Sequence, residues 1–325
     1  MARYQEIEQG IHLVKSETEF KWKCNGILVE GADQGGAVLI DCNLEREEHE
    51  ELRKKVGGRI DAYFVSHVHL DHVNFLRNVV ALDTRIFCPV PEHRYLRDLN
   101  VFMEENGAVD FGIDREMKYY VSEVLQFNAQ ISVDPFNSGE SFVFGDVTIE
   151  TIHVPGHSPG HTAFLINRGS SKNTRTVLFV SDIGIEPLGA WYGFKYCDLD
   201  AMRNSVSKLE AIYLGEDSIL ASSHAPVFFE KRPEVFQQIL TKIDRNERRL
   251  LEMFNTEIPR GLEDVTLKSV FYNTRSMERM SKMERKLYFF WEGSLLLNHI
   301  AELVANGTLI ETDDNKWLLS TSARD

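Results

Sequence analysis

Four cysteines in 325 residues, Cys24, Cys42, Cys88 and Cys197, lie far apart with no C-x-x-C pair. That argues against a disulfide framework and suits reduced, buried thiols. No apolar run reaches the 18 or more residues a bilayer span needs, and the polar start M-A-R-Y-Q-E-I-E-Q-G lacks a signal-peptide core, so the expected location is the cytoplasm. Positive charge is also short. With 36 basic against 50 acidic residues the net charge is −14, which weighs against a general affinity for nucleic acid. No G-x-S-x-G elbow, P-loop or dinucleotide fingerprint is found, which leaves serine hydrolysis and nucleotide binding unsupported. What remains, 43% hydrophobic and 26% charged residues, is an ordinary globular balance, and the length suits one large domain plus a smaller one.

Against these absences stands one dense cluster. His67, His69, Asp71 and His72 are packed into six residues directly after the apolar run Ala62-Tyr63-Phe64-Val65. Residues two apart on extended backbone point the same way, so His67 and His69 can present imidazoles to one cation while Asp71 and His72 face a second position. Phe75, Leu76, Val79 and Val80 follow at helical spacing, so the cluster belongs in a strand-to-helix loop. Further ligands are needed and are at hand. The strand from Val147 breaks at Pro155-Gly156 and offers His157 and, four residues on, His161. Val177 to Val180 ends in Ser181-Asp182, and Ile219 to Ala221 ends in Ser222-Ser223-His224. Each candidate lies just past an apolar strand, so all could meet on one rim of layered sheets.

In these motifs the chain resembles the metallo-β-lactamase superfamily, whose H-x-H-x-D-H signature is met by His67, His69, Asp71 and His72. Pro155 to His161, Ser181-Asp182 and Ser223-His224 resemble the family's later ligand motifs, in the family's order over roughly residues 1 to 230. The resemblance implies an α/β fold, a four-layer αβ/βα sandwich. It implies two divalent metal ions, zinc first with iron or manganese as options: one held by His67, His69 and His157, the other by Asp71, His72 and His224, with Asp182 bridging. A hydroxide between the metals would then attack a carbonyl, oriented by Asp71. No cysteine is among the matched ligands, which separates the chain from those β-lactamases that use one and places it nearer to hydroxyacylglutathione hydrolases. A related single-iron branch that oxidises persulfides would leave His69, His72 and His224 surplus, and a binding module would be expected to have lost ligands.

Residues beside the motifs carry weaker expectations. His153 and His161 read either as polar partners of the ligand rings or as loop packing. Trp191 and Tyr192 read either as core aromatics or as a substrate wall with the Tyr192 hydroxyl as an oxyanion donor, a second catalytic candidate beside Asp71. His12, His49, His93 and His299 have no such context and are expected at surface or boundary positions. The mostly helical stretch from Pro91 to Phe127 is long enough to form a lid over the site.

From residue 231 the pattern turns helical, which divides the chain into a catalytic domain, 1–230, and a C-terminal domain, 231–325. Glu234 to Glu252 reads as an amphipathic helix, Thr266 to Tyr272 as the opening of a short one and Ser294 to Gly307 as another. Leu309 to Thr312 and Lys316 to Leu319 read as a hairpin about Asp313-Asp314-Asn315. Helices followed by a small wing resemble a winged helix, as in a subfamily of these hydrolases that includes single-strand endoribonucleases. Arg245, Arg248, Arg249, Arg275, Arg279, Lys282, Arg285 and Lys286 make this tail basic. They read as solvated helix faces or as an RNA-binding patch, and the tail could equally serve dimerisation or shape a pocket. The function expected is hydrolysis of a small thioester, ester or lactone, with cleavage of single-stranded RNA as the alternative.

Overall fold

The computed structural model describes residues 1–19, 23–31, 35–80, 84–125, 127, 130–169, 174–272, 280–312 and 315–321. Arg275, Arg279, Asp313 and Asp314 lie outside them.

Two sheets form the body. The first, in the order β1 to β7, contains β1 (Arg3–Glu8), β2 (Ile11–Lys15), β3 (Asn25–Glu30), β4 (Ala37–Ile40), β5 (Ile60–Phe64), β6 (Arg85–Pro89) and β7 (Asp134–Phe136). The second contains β8 (Ser141–Phe144), β9 (Val147–His153), β10 (Thr162–Arg168), β11 (Thr176–Phe179) and β12 (Ser218–Ala221). The apolar runs that mark the central strands are continuous because both faces are covered. In β4 and its parallel neighbour β5, Val38, Ile40, Ala62 and Phe64 point into the core between the sheets. Ala37, Leu39 and Tyr63 point the other way, into a core shared with the flanking helices. The helix Arg46–Lys55 buries Leu52 there, and Leu199–Gly215 buries Met202, Val206 and Leu209. The result is a sandwich of two sheets with helices outside.

Phe64 is the centre of the inter-sheet core. Its ring stacks on Phe87 at 4.8 Å and meets Phe142 at 4.9 Å and Phe164 at 5.9 Å edge-on, so one residue ties β5 to both sheets at the root of the first ligand loop.

Strand direction places the site. β4, β5 and β6 run parallel; β9 and β11 both run antiparallel to β10, and β12 is parallel to β11. The C-terminal ends of β9, β11 and β12 therefore share a rim, and the loops after β5, β9, β11 and β12 meet across it.

After residue 230 come the helices Glu234–Leu251, Leu262–Thr266 and Lys282–Ala305 and a three-stranded sheet of Arg260–Gly261, Lys316–Leu319 and Leu309–Glu311, with the middle range at its centre. The last long helix starts twelve residues earlier than its apolar spacing suggests: Ser281 and Glu284 form a reciprocal capping box there. The short helix ends at Thr266, where one was expected to open. Leu250, Val265, Leu296, Ile300 and Trp317 build a small core of their own, while Phe236, Ile239, Leu287 and Phe290 pack into the main one. Packing is thus continuous across residue 230. No helix among the described residues is long and apolar enough to cross a membrane.

Candidate metal centre

The loop after β5 leaves the sheet at Ser66 and turns into the single helical turn Leu70–Val73. Extended backbone through His69 puts His67 and His69 on one side, and the turn swings Asp71 and His72 to another. The loop after β9 needs glycine at Gly156: its φ is +127°, and a Cβ there would lie 2.4 Å from the Met202 backbone nitrogen. That tight passage under the helix Leu199–Gly215 aims His157 back at His67.

All seven predicted ligands converge in two groups, His67, His69 and His157 in one and Asp71, His72, Asp182 and His224 in the other, the ligand atoms of each group lying within 4.8 Å of one another. One carboxylate touches both. Asp182 Oδ2 is 3.7 Å from His157 Nε2, 3.9 Å from His67 Nε2 and 3.2 Å from His224 Nε2, while Oδ1 is 3.2 Å from His72 Nε2. Asp71 reaches His224 Nε2 at 3.1 Å.

The hydrogen bonds behind these rings decide what the site can hold. His157 Nδ1 donates to the Trp191 carbonyl at 2.7 Å, so its Nε2 carries a lone pair, and that lone pair faces His67 Nε2 at 3.0 Å. His69 Nε2 is bonded to the Tyr196 hydroxyl at 3.0 Å, which leaves Nδ1 as its ligand atom. His72 Nε2 and Asp182 Oδ1 are buried and make no hydrogen bond among the described residues. Buried lone pairs facing one another are costly unless a cation lies among them, and three imidazoles beside a group with two carboxylates suit borderline divalent ions. The residues fit such a centre.

Protonation agrees. Burial, reinforced by the neighbouring imidazoles, holds His67 and His69 well below the usual histidine range, so they are neutral. In the second group burial would raise the Asp71 carboxyl, but His72 and the hydrogen bond from His224 outweigh it and bring it down to about 2. Burial lowers His224, yet Asp182 and Asp71 push it up to about 12.

Several supporting residues have little signature in the sequence. Asp41, at a left-handed φ of 51° just past β4, accepts from the Ser66 amide at 2.8 Å and lies 3.0 Å from His72 Nδ1. Glu92, fully buried, accepts from the Val68 amide at 2.5 Å, the Ser158 hydroxyl at 2.5 Å and the Gly160 amide at 2.7 Å, so it stitches the first ligand loop to the second. Asp41 obeys the same rule as the ligands, an acid at the end of an apolar strand; Glu92 has no such signal. His161 donates from Nδ1 to the Val154 carbonyl at 3.0 Å and accepts the Asp182 amide on Nε2 at 3.2 Å, so it holds the backbone of Asp182 in place.

Of its two readings His153 takes loop packing: it is exposed and bonds the Pro159 carbonyl at 2.9 Å, away from the centre. Two other expectations are corrected. Tyr192 turns away from the cavity: its hydroxyl meets His299 Nε2 at 2.8 Å, so an oxyanion donor is not formed there. Its neighbour Trp191 does line the cavity, the backbone sending successive side chains to opposite sides. His299, His12 and His49 are buried rather than at the surface. His299 belongs with Glu247 and Glu302, but Arg203 donates to Glu302 at 2.8 Å and sits 3.7 Å from Glu247, so a guanidinium already neutralises that cluster.

A cavity of about 520 Å³ opens onto the two groups. Phe102, Met117 and Val121, from the stretch after β6, form part of its wall. Glu186 also faces it, and burial, with the charge of Asp182 behind, pushes its carboxyl up to about 7.

The fold is thus a two-sheet sandwich with helices outside and a histidine- and aspartate-rich centre on one rim. The model of the metallo-beta-lactamase superfamily matches residues 21–212, more than half the chain, and the chain belongs to that superfamily. Its similarity to an N-acyl homoserine lactonase, AttM, of Agrobacterium fabrum is 34% identity over 102 residues, 29% of this chain and 37% of that protein. With a hydroxyacylglutathione hydrolase of Rhizobium johnstonii it is 28% over 139 residues, 43% of this chain and 41% of the other. The chain thus spans only about two fifths of these relatives' length. A metallo-beta-lactamase family protein of Thermus thermophilus superposes over 96% of this chain and 99% of its own with a TM-score of 0.71 at 19% identity, a likeness of fold that includes the C-terminal helices. By their printed names the first two of these relatives are a lactonase and a hydrolase.

Proposed function

We propose that the chain is a binuclear metal-dependent hydrolase of small thioesters, esters or lactones. The observation that carries this is the single carboxylate, Asp182, lying against both ligand groups at the floor of one cavity. His67, His69 and His157 would hold one divalent ion, Asp71, His72 and His224 the other, with Asp182 shared; zinc suits this nitrogen-rich set. When bound, such ions supply a water that is nucleophilic at neutral pH and an electrophile for the substrate oxygen.

The chain's own residues do the rest. Asp71, ionised and facing the cavity, orients the attacking water by accepting a hydrogen bond from it. His161, Asp41 and Glu92 fix the loops that present the ligands, so little reorganisation is needed when substrate arrives. Trp191 and Phe194 close one side of the cavity against bulk water. The two relatives named above act, by their names, on a lactone and a glutathione thioester, which supports carbonyl chemistry.

Cleavage of RNA has one feature in its favour: Lys282, Arg285 and Lys286 flank Phe111 and Phe289 in a surface groove of about 640 Å³. Lys286 is paired with Glu116, however, and the walls beside the ligands are apolar rather than basic.

The test is metal analysis followed by a panel of thioesters, lactones and aryl esters beside single-stranded RNA, with Asp71→Ala as the blank. About two divalent ions per chain and carbonyl turnover lost in the variant support the proposal. RNA cleavage lost in the variant, or one iron with oxidation, would replace it.

A further inference from the structure

The cavity above the two ligand groups is walled in part by side chains from outside the sandwich. Phe102, Met117 and Val121 come from the helical stretch after β6, and Leu287 and Trp291 from the long helix Lys282–Ala305. Phe111 against Phe290 at 5.2 Å and the Lys286–Glu116 pair join these two sources, so the wall is one packed structure. Trp191, whose indole nitrogen donates to the Tyr272 hydroxyl at 2.6 Å, adds an aromatic face from the sandwich side.

Among the described lining residues, Lys23 is the only base and Glu186 the only acid apart from the ligands. The Lys23 ammonium donates to the Thr18 carbonyl. A glutathione carrier would bring two carboxylates and find one lysine, already engaged. A short hydroxyacyl group would leave five apolar walls unused. At about 520 Å³ the chamber has the size of a small-ligand site, and an apolar cavity of that size gains most by enclosing an apolar group. The upward shift of the Glu186 carboxyl is the response expected of an acid beside such walls.

We propose that this chamber binds an apolar chain of the substrate, an alkyl or arylalkyl group of medium length, so that the enzyme prefers hydrophobic esters, thioesters or lactones over short hydroxyacyl ones. The inference rests on the hydrolase reading above and names its substrate class. The chain could lie on the acyl side or on the leaving group, and the two are separated by experiment.

Two series are compared with the metal-loaded protein: acyl groups from acetyl to decanoyl on one small thiol, and acetyl esters of alcohols from methanol to decanol. Each enclosed methylene is expected to raise kcat/KM by up to about fourfold, the equivalent of about 0.8 kcal/mol, so that the six methylenes from two to eight carbons set a ceiling on the order of a few thousandfold. The series that rises identifies the side. Val121→Trp, which fills the chamber, and Trp291→Ala, which removes a wall, should each collapse the long-to-short ratio in that series. A binding readout runs beside turnover: metal-free protein is titrated with 1-octanol while tryptophan fluorescence is followed, with saturable binding expected and weakened in both variants. Flat series with hydrolysis intact would overturn the inference and leave the hydrolase reading standing. If no carbonyl compound is hydrolysed, that reading fails, and saturable octanol binding lost in the variants still supports an apolar ligand, whereas no binding overturns it.

Discussion

Asn298 lies on the C-terminal helix, and its side-chain amide donates to two carbonyls of the segment beside the metal centre, Tyr192 at 2.8 Å and Phe194 at 3.0 Å. The preceding carbonyl, of Trp191, is the acceptor that orients His157. Asn298→Ala removes both bonds and leaves two carbonyls of well-buried residues without their donor, a cost of about 2 kcal/mol in stability. The looser segment should also let the His157 ring rotate, which for a partner of a ligating histidine corresponds to a loss of about ten- to a hundredfold in metal affinity. Urea unfolding of the metal-free protein reads the first effect, and competition against a chromophoric zinc chelator reads the second. A variant that is less stable yet binds metal as tightly as the parent would show that the ligand ring is held independently of the C-terminal helix, and the reasoning would fail.

Three further outcomes are expected. His49 is buried, and burial lowers its pKa to about 4, so the unfolded chain takes up a proton below pH 6.5 that the folded one refuses. Stability from this source is therefore complete above pH 6.5 and is lost as pH falls towards 4, by about 3 kcal/mol in total; urea midpoints across that range should slope less in His49→Leu, and equal slopes would refute the assignment. Gly156→Ala forces a Cβ against the Met202 backbone at a φ that disfavours side chains, and should cost several kcal/mol together with His157 ligation, checked by thermal unfolding and metal content. Phe64→Ala removes the aromatic hub between the sheets and should cost about 3–5 kcal/mol without altering metal stoichiometry in the protein that remains folded.

Much of the centre was legible because its logic is local. A ligand just past the end of a strand-like segment is a pattern one can read along the chain, and His67, His69, Asp71, His72, His157, Asp182 and His224 all follow it. The supporting acid Asp41 follows it too, but a lone aspartate after a strand is common and has no partner in the sequence to single it out. Glu92 was not legible at all, since its three bonds are to residues at least 24 positions away. The split between Trp191 and Tyr192 was not legible, because neighbours in an irregular segment take opposite sides and the sequence does not say which of two adjacent aromatics faces the cavity. The first strand, Arg3–Glu8, was missed: as an edge strand of R-Y-Q-E-I-E it buries little and carries no apolar pattern.

The ligands come from strand ends inside the sandwich, whereas much of the chamber wall comes from helices added around it. On the reading proposed above, chemistry and substrate choice are thus stored in separate parts of the chain. Exchanging Phe102, Met117, Leu287 or Trp291 would redraw what the enzyme accepts while every metal ligand stays in place, and a lineage of such proteins could change diets through its outer helices without passing through an inactive ancestor.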